Sequence, residues 1–140
     1  MENSKMVPEL GVTNLGKSLE FYKTCGAKID YERPEKKFVF LAIEGNQIML
    51  EELREEVSDR FDVGKLEYPF GRGLHFQIEV KDAGKILTAL EKKKYKIKAK
   101  IIDNWFRADD KLIGMRNFLV QDPDGYLLMF YEDLGTKPLG

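Results

Sequence analysis

The sequence predicts an α+β protein of two tandem βαβββ modules, whose strands form a curved mixed sheet around a cleft with the helices on the outer face. Three observations carry this. The segment Val12 to Ile29 overlays Val80 to Ile97 without a gap at a constant offset of 68 residues, and Val, Gly, Lys, Leu, Lys and Ile recur in place. Each copy then continues through apolar or alternating runs separated by turn residues, the pattern of strands. Between the copies, Leu53 to Gly73 is charged and ends in Pro and Gly, as a crossover linker does. The modules are placed at residues 1–53 and 74–140, with the linker at 54–73, in one structural domain.

In each repeat the first strand, "VPELGV" or "HFQIEV", is followed by a short polar residue, Asn14 or Asp82. Such a residue caps a helix by accepting bonds from its first free N–H groups. Leu15, Leu19 and Tyr22, and Ala83, Leu87 and Leu90, then follow at helical spacing and make the stripe that meets the sheet. Extended segments come next: "KIDYER", "KFVFLAI" and "QIMLEE" with the turn "EGN", and "KIKAKII", "RNFLVQ" and "YLLMFYE" with the turn "DPDG". Gly45 matches Gly125 at an offset of 80, because the second repeat carries an insertion, Asp103 to Met115, read as a polar loop.

Composition limits the function classes. A chain of 140 residues that is 43% hydrophobic has an ample core for one domain. Its 23 basic and 24 acidic residues leave a formal net charge of −1, so no global field draws in nucleic acid. Within "EKKKYKIKAKII", Lys96, Lys98 and Lys100 share one face of a strand and Ile97, Ala99 and Ile101 the other, the pattern of a half-exposed edge strand. Lys92 to Lys94 close the preceding helix, where cations complement its dipole. No stretch approaches the roughly 18 apolar residues of a membrane span, and "MENSKMVPELGV" lacks the apolar run of a signal peptide. The expectation is a soluble, cytoplasmic protein with no membrane partner. Cys25, the single cysteine, forms no internal disulfide and, at the end of a helical pattern, reads as structural rather than nucleophilic.

Alternation sorts the strand residues by face. Leu10 and Val12, and Phe76, Ile78 and Val80, turn to the helices; Val7, Glu9 and Gly11, and His75, Gln77 and Glu79, take the other face. The last strands add Gln47, Met49 and Glu51, and Leu127, Met129 and Tyr131, to that second face. By the same count Phe38, Phe40 and Phe118 fall on the helix side and Val39 with Leu41 on the second face. Polar and aromatic residues enclosed by two such faces make a ligand cleft.

The opening "VPELGVTNLGKSLEFYKTCG" and the closing "GMRNFLVQDPDGYLLMF", in that order around the duplication, resemble the vicinal oxygen chelate superfamily, also called the glyoxalase/bleomycin resistance/dioxygenase fold. Within it the chain is most similar to the bleomycin-resistance-type binding proteins. Enzymes of the superfamily hold a divalent metal with four His or Glu residues on strands, two from each half. The resemblance puts those positions at Val7, Met49, His75 and Met129, of which only His75 is a donor of the expected kind.

The resemblance therefore implies no metal, no other cofactor and no catalytic residue. It implies a protein that binds a small, partly planar organic molecule, an antibiotic or a metabolite, in the cleft of a homodimer. The residues it implies for that cleft are Val39, Met49, Glu51, His75, Gln77, Trp105, Ile113, Asn117, Met129 and Tyr131. Ile113 and Asn117 stand where the resistance-like motif has tryptophan and glutamate. Trp105, with Phe106, reads as an aromatic pair facing a ligand or the other subunit, or as the cover of a sheet end. His75 reads as a polar contact in the cleft or as a plainly hydrogen-bonded histidine. Two other readings stay open: a metal-dependent lyase, isomerase or dioxygenase with an altered ligand set around His75, drawing on Glu9, Glu51 or Glu79, and a subunit that keeps the fold for dimerisation only.

Overall fold

The computed structural model describes residues 3–54 and 61–140. The chain runs β1 (Glu9–Val12), α1 (Leu15–Thr24), β2 (Lys28–Arg33), a short 3₁₀ turn (Pro34–Lys36), β3 (Phe38–Ile43) and β4 (Asn46–Glu52). It continues through β5 (Phe76–Glu79), α2 (Ala83–Lys92), β6 (Ile97–Ala108), β7 (Lys111–Gln121) and β8 (Leu127–Pro138). Each repeat closes its own four-stranded mixed sheet, in the orders β1-β4-β3-β2 and β5-β8-β7-β6. The first and last strands of a repeat pair in parallel and the other neighbours pair antiparallel. Two βαβββ modules are thus the architecture of the protein. No helix among the described residues is long and apolar enough to cross a membrane.

The chain divides into two compact units, Met1–Arg72 with Asp122–Tyr126, and Gly73–Gln121 with Leu127–Gly140. The turn between β7 and β8 therefore packs with the first unit although its flanking strands belong to the second. Residues 55–60 of the expected linker lie outside the described residues.

The helices start as their sequences require. Asn14 Oδ1 accepts from the Lys17 N–H and Asp82 Oδ1 from the Lys85 N–H, each at 3.0 Å. A second acceptor, a carboxylate, arrives from the last strand of the same repeat: Glu52 accepts from the Leu15 N–H at 2.9 Å and Glu132 from the Ala83 N–H at 2.8 Å. Free N–H groups at a helix N-terminus carry partial positive charge, so these anions satisfy donors and dipole together. The buried stripes are Ser18, Phe21 and Tyr22 on α1 and Ala83, Ile86 and Leu90 on α2. Leu15, Leu19 and Leu87 are only half-buried, so the expected stripes are rotated slightly about each helix.

The third strand corrects an expectation. Every residue of β3 is buried, so its sequence carries no alternation to read. Its facing is set by the hairpin: Ile43 pairs with Asn46 across a two-residue turn of Glu44 (φ 47°) and Gly45 (φ 87°). That aligns Phe40 with Met49, Phe38 with Glu51 and Val39 with Leu50. Directly opposed residues share a face. Val39 and Leu41 therefore lie with Leu50 and Ile48 on the helix side, and Phe38 and Phe40 on the other. In the second sheet Phe118 keeps its expected place, fully buried and stacked on Phe130 at 5.6 Å.

The insertion of the second repeat is likewise not a loop. β6 and β7 stay paired out to Ala108 and Lys111, across a turn of Asp109 (φ 57°) and Asp110, so that Ile97–Gln121 forms one long hairpin arm. β6 is an edge strand, with Lys96, Lys98 and Lys100 exposed along its start.

Candidate functional site

On the first sheet, the face turned away from α1 has Met49 at its centre. Glu9 stands beside it on β1 and Phe40 on β3. The adjoining rung holds Gly11, Glu51 and Phe38, and β2 places Tyr31 and Arg33 opposite Phe40 and Phe38. Tyr31 stacks on Phe40 with ring centroids 5.0 Å apart, and the Arg33 guanidinium lies 4.6 Å from the Phe38 centroid. The result is a shelf of aromatic rings with a cation laid on it. At the other side of Met49, burial raises the Glu9 carboxyl, and the charge of Glu51 and a hydrogen bond to it add to the rise, while Arg33 opposes it. Two carboxylates in such contact favour sharing one proton.

A cavity of about 570 Å³ opens on this face. Its floor is Glu9, Gly11 and Glu51; Phe61, Val63 and Leu66 from the segment after β4 form its apolar walls, and Tyr126 closes one side. The turn that carries Tyr126 is held by polar contacts that its sequence did not disclose. Tyr126 donates its hydroxyl to the Gly11 carbonyl oxygen at 2.9 Å. Asp124 accepts from the Thr13 N–H at 3.0 Å and from the Thr13 hydroxyl at 2.6 Å. Asp122 accepts from the Tyr22 hydroxyl at 2.7 Å and from the N–H groups of Asp124 and Tyr126 at 2.9 and 3.0 Å. Burial still pushes the Asp122 carboxyl up to about 6. Burial also pushes the Tyr22 hydroxyl and the Cys25 thiol far upward, with the Asp122 charge adding to both. Cys25, 1% exposed, is therefore no thiolate nucleophile.

The second sheet repeats the pattern with different side chains. Gln77 stands beside Met129 and Glu79 beside Tyr131, while Leu119 and Asn117 oppose Met129 and Tyr131 from β7. His75 precedes β5, exposed, with its Nε2 3.2 Å from the Gln77 amide nitrogen. Tyr131 donates to Glu79 at 3.4 Å, and burial, then the Glu79 charge, raises its hydroxyl. Asn117 is buried and donates to Asn104 at 2.9 Å. Ile113 lies farther out along the arm, opposite Phe106.

Trp105 turns the other way. Counting outward from the pair Ile102 and Asn117, Trp105 and its partner Gly114 fall on the face opposite Asn117, Met129 and Tyr131. The indole fills the room that Gly114 leaves: a Cβ there would lie 2.7 Å from its ring. Lys137 Nζ rests 4.0 Å from the ring centroid. Trp105 thus covers the end of its own sheet.

Of the ten residues expected at the site, Val39 and Trp105 leave the open faces. Met49 and Glu51 remain on the first sheet, and His75, Gln77, Ile113, Asn117, Met129 and Tyr131 on the second. Tyr31, Arg33, Phe38 and Phe40 join the first group. The signal that finds the phenylalanines is the turn length, since "EG" as a two-residue turn fixes Phe40 opposite Met49.

The donor set for a divalent metal does not fit. Met49 and Met129 hold matched rungs beside Glu9 and Gln77 and offer soft thioethers, and Val7 offers nothing. Among the described residues, no three His, Cys, Asp or Glu side chains are grouped as metal ligands.

A family model, the Glyoxalase/Bleomycin resistance protein/Dioxygenase superfamily, matches residues 7–130. In fold the chain is similar to TioX from Micromonospora sp. ML1, at 19% identity over 94% of this chain and 100% of that one, with a TM-score of 0.67. It is similar to a glyoxalase/bleomycin resistance protein/dioxygenase from Alicyclobacillus acidocaldarius, at 19% identity over 94% and 92%, with a TM-score of 0.61. It is also similar to FosX, a fosfomycin resistance protein from Listeria monocytogenes, at 16% identity over 94% of each chain, with a TM-score of 0.59. A mutant of FosX was solved with Mn(II) and 1S,2S-dihydroxypropylphosphonic acid. No curated protein matches the chain.

Proposed function

This chain belongs to the glyoxalase/bleomycin resistance protein/dioxygenase superfamily, and from that premise we propose that it binds a small, partly planar organic molecule without a metal and without transforming it. The observation that carries the reading is the matched pair Met49 and Met129. They take the same rung on the last strand of each repeat, where a divalent ion would need an oxygen or imidazole donor. Without such an ion, the Lewis-acid route to polarising a substrate has no anchor in these residues.

The same thioethers suit a binding surface, because methionine is unbranched and polarisable and packs against aromatic groups of many shapes. Met49 is bordered by Phe40, on which Tyr31 stacks, and Met129 by Leu119 and Tyr131. Each floor is edged by a few polar groups, Glu9 and Glu51 on one and His75 and Gln77 on the other, the mixture that gives small-molecule sites both affinity and orientation. An antibiotic is one candidate ligand, since one relative in fold is named for fosfomycin resistance. We read the protein as a homodimer on the strength of Ile102 and Phe106, 45% and 50% exposed on the long arm, which a second copy would cover.

The test is thermal stabilisation by a panel of antibiotics and aromatic metabolites in the presence of EDTA. A ligand at a hundredfold excess over its Kd adds about 2.7 kcal/mol, which raises Tm by several degrees. At least one compound is expected to do so, and Met129→Ala to weaken it. Stabilisation that appears only when a divalent metal is added overturns the reading.

A further inference from the structure

We propose that the cavity on the first sheet receives the charged end of the ligand and that this end is an organic cation, such as a protonated amine or amidine. This rests on the binding-protein reading and adds the ligand's charge to it. The cavity, about 570 Å³, is within the size range of small-molecule sites, roughly 300–1,000 Å³. Its walls are apolar side chains held open to solvent, Phe61 at 75%, Val63 at 94% and Leu66 at 43% exposure. Apolar groups clustered at the mouth of a cavity mark a place that a partner covers.

The floor chooses the partner's charge. Glu9 and Glu51 meet there, and Asp62, which accepts from the Gly64 N–H at 2.9 Å, also lines the cavity. Glu52 also borders the cavity, but its carboxylate is already engaged by the Leu15 N–H and by Lys37 at 3.1 Å. Arg54, the basic residue of the lining, lies 3.5 Å from Glu51, and Arg33 acts on Glu9 from outside the lining without offsetting its burial and the Glu51 charge, so Glu9 still favours a proton or a cationic guest. A ligand cation supplies that neutralisation, since opposite charges a few ångströms apart in a partly desolvated site attract strongly. A neutral guest leaves the carboxylates facing each other, and an anion adds a further negative charge to an acidic lining. Arg33 shows the preference from within the protein: its guanidinium acts on Glu9 from the neighbouring aromatic shelf.

The test uses one planar scaffold in three charge states at pH 7.5: 9-aminoacridine as the cation, acridine as the neutral form and acridine-9-carboxylate as the anion. Affinities are read by fluorescence titration. 9-Aminoacridine is expected to bind at least about tenfold more tightly than acridine, with the carboxylate weakest. Glu51→Gln is expected to bring the ratio of 9-aminoacridine to acridine affinity close to one, and Glu9→Gln gives the same reading should Glu51→Gln fold poorly. Acridine or the carboxylate binding as tightly as the amine, or a preference that survives both variants, overturns the cation assignment and leaves the binding-protein reading standing. Failure of 9-aminoacridine to bind also overturns the assignment. Failure of every compound in the wider panel removes both.

Discussion

Gln77 and Met129 stand side by side in the parallel pairing of β5 with β8, each turned away from α2. The first repeat places Glu9 and Met49 in the same relation between β1 and β4. The duplication therefore puts a thioether at the same rung twice, and the functional reading rests on a symmetric feature of the fold rather than on one side chain. The consequences reach stability, fluorescence and ligand affinity separately.

The register of β3 divides two neighbouring sites. Tyr31, 41% exposed, lies on the open face against Phe40, whereas Val39, 2% exposed, packs on the helix side. Tyr31→Ala is expected to weaken a ligand found in the panel about tenfold and to cost only about 1 kcal/mol of stability, the worth of its half-exposed contacts with Phe40 and Phe38. Val39→Ala should cost about 2 kcal/mol through the cavity it leaves and spare affinity. Urea denaturation and ligand titration of both variants check this, and the opposite pattern would restore the facing that simple alternation suggested.

Trp105 is the single tryptophan, so its emission reports one place. Gly114→Ala puts a methyl group where the indole now lies and is expected to shift that emission to longer wavelength, at a cost of about 1–3 kcal/mol. Lys137→Ala removes only the ammonium near the ring and should cost about 1 kcal/mol or less. An unchanged spectrum in the glycine variant would show that the indole does not cover that strand.

Asp122 gives the protein a pH signature. Burial raises its carboxyl to about 6, above the 3.8 of an ordinary aspartate. A group raised on folding contributes its full stability below the unfolded value and loses it as pH rises through the folded one. Between about pH 4 and pH 7 this residue should therefore withdraw on the order of 3 kcal/mol. Glu9 slopes in the same direction, so the measurement is a difference: urea midpoints from pH 4 to 7 for the protein and for Asp122→Asn. The variant is expected to show the shallower fall, and equal slopes would place the titration elsewhere.

The duplication, both helix caps and the faces of β1, β4, β5 and β8 were legible because each rests on local spacing or strict alternation. Met49 and Met129 were found this way. The facing of β3 was not, since six consecutive buried apolar residues hold no period and only the two-residue turn fixes them. The arm from Asp103 to Met115 looked polar because a hairpin exposed on both faces loses the contrast that marks a half-buried strand. The roles of Asp122 and Asp124 were hidden for a different reason. Their partners Tyr22 and Thr13 lie 100 and 111 residues away, and no local pattern encodes such a contact.

Metal analysis of the purified protein bears most directly on the central claim. Elemental quantification after gel filtration, on protein prepared without chelator, is expected to find no stoichiometric divalent ion, and His75→Ala to change nothing in that result. One tightly held ion per chain, lost in His75→Ala, would contradict the account and return the protein to the metal-dependent enzymes of its superfamily.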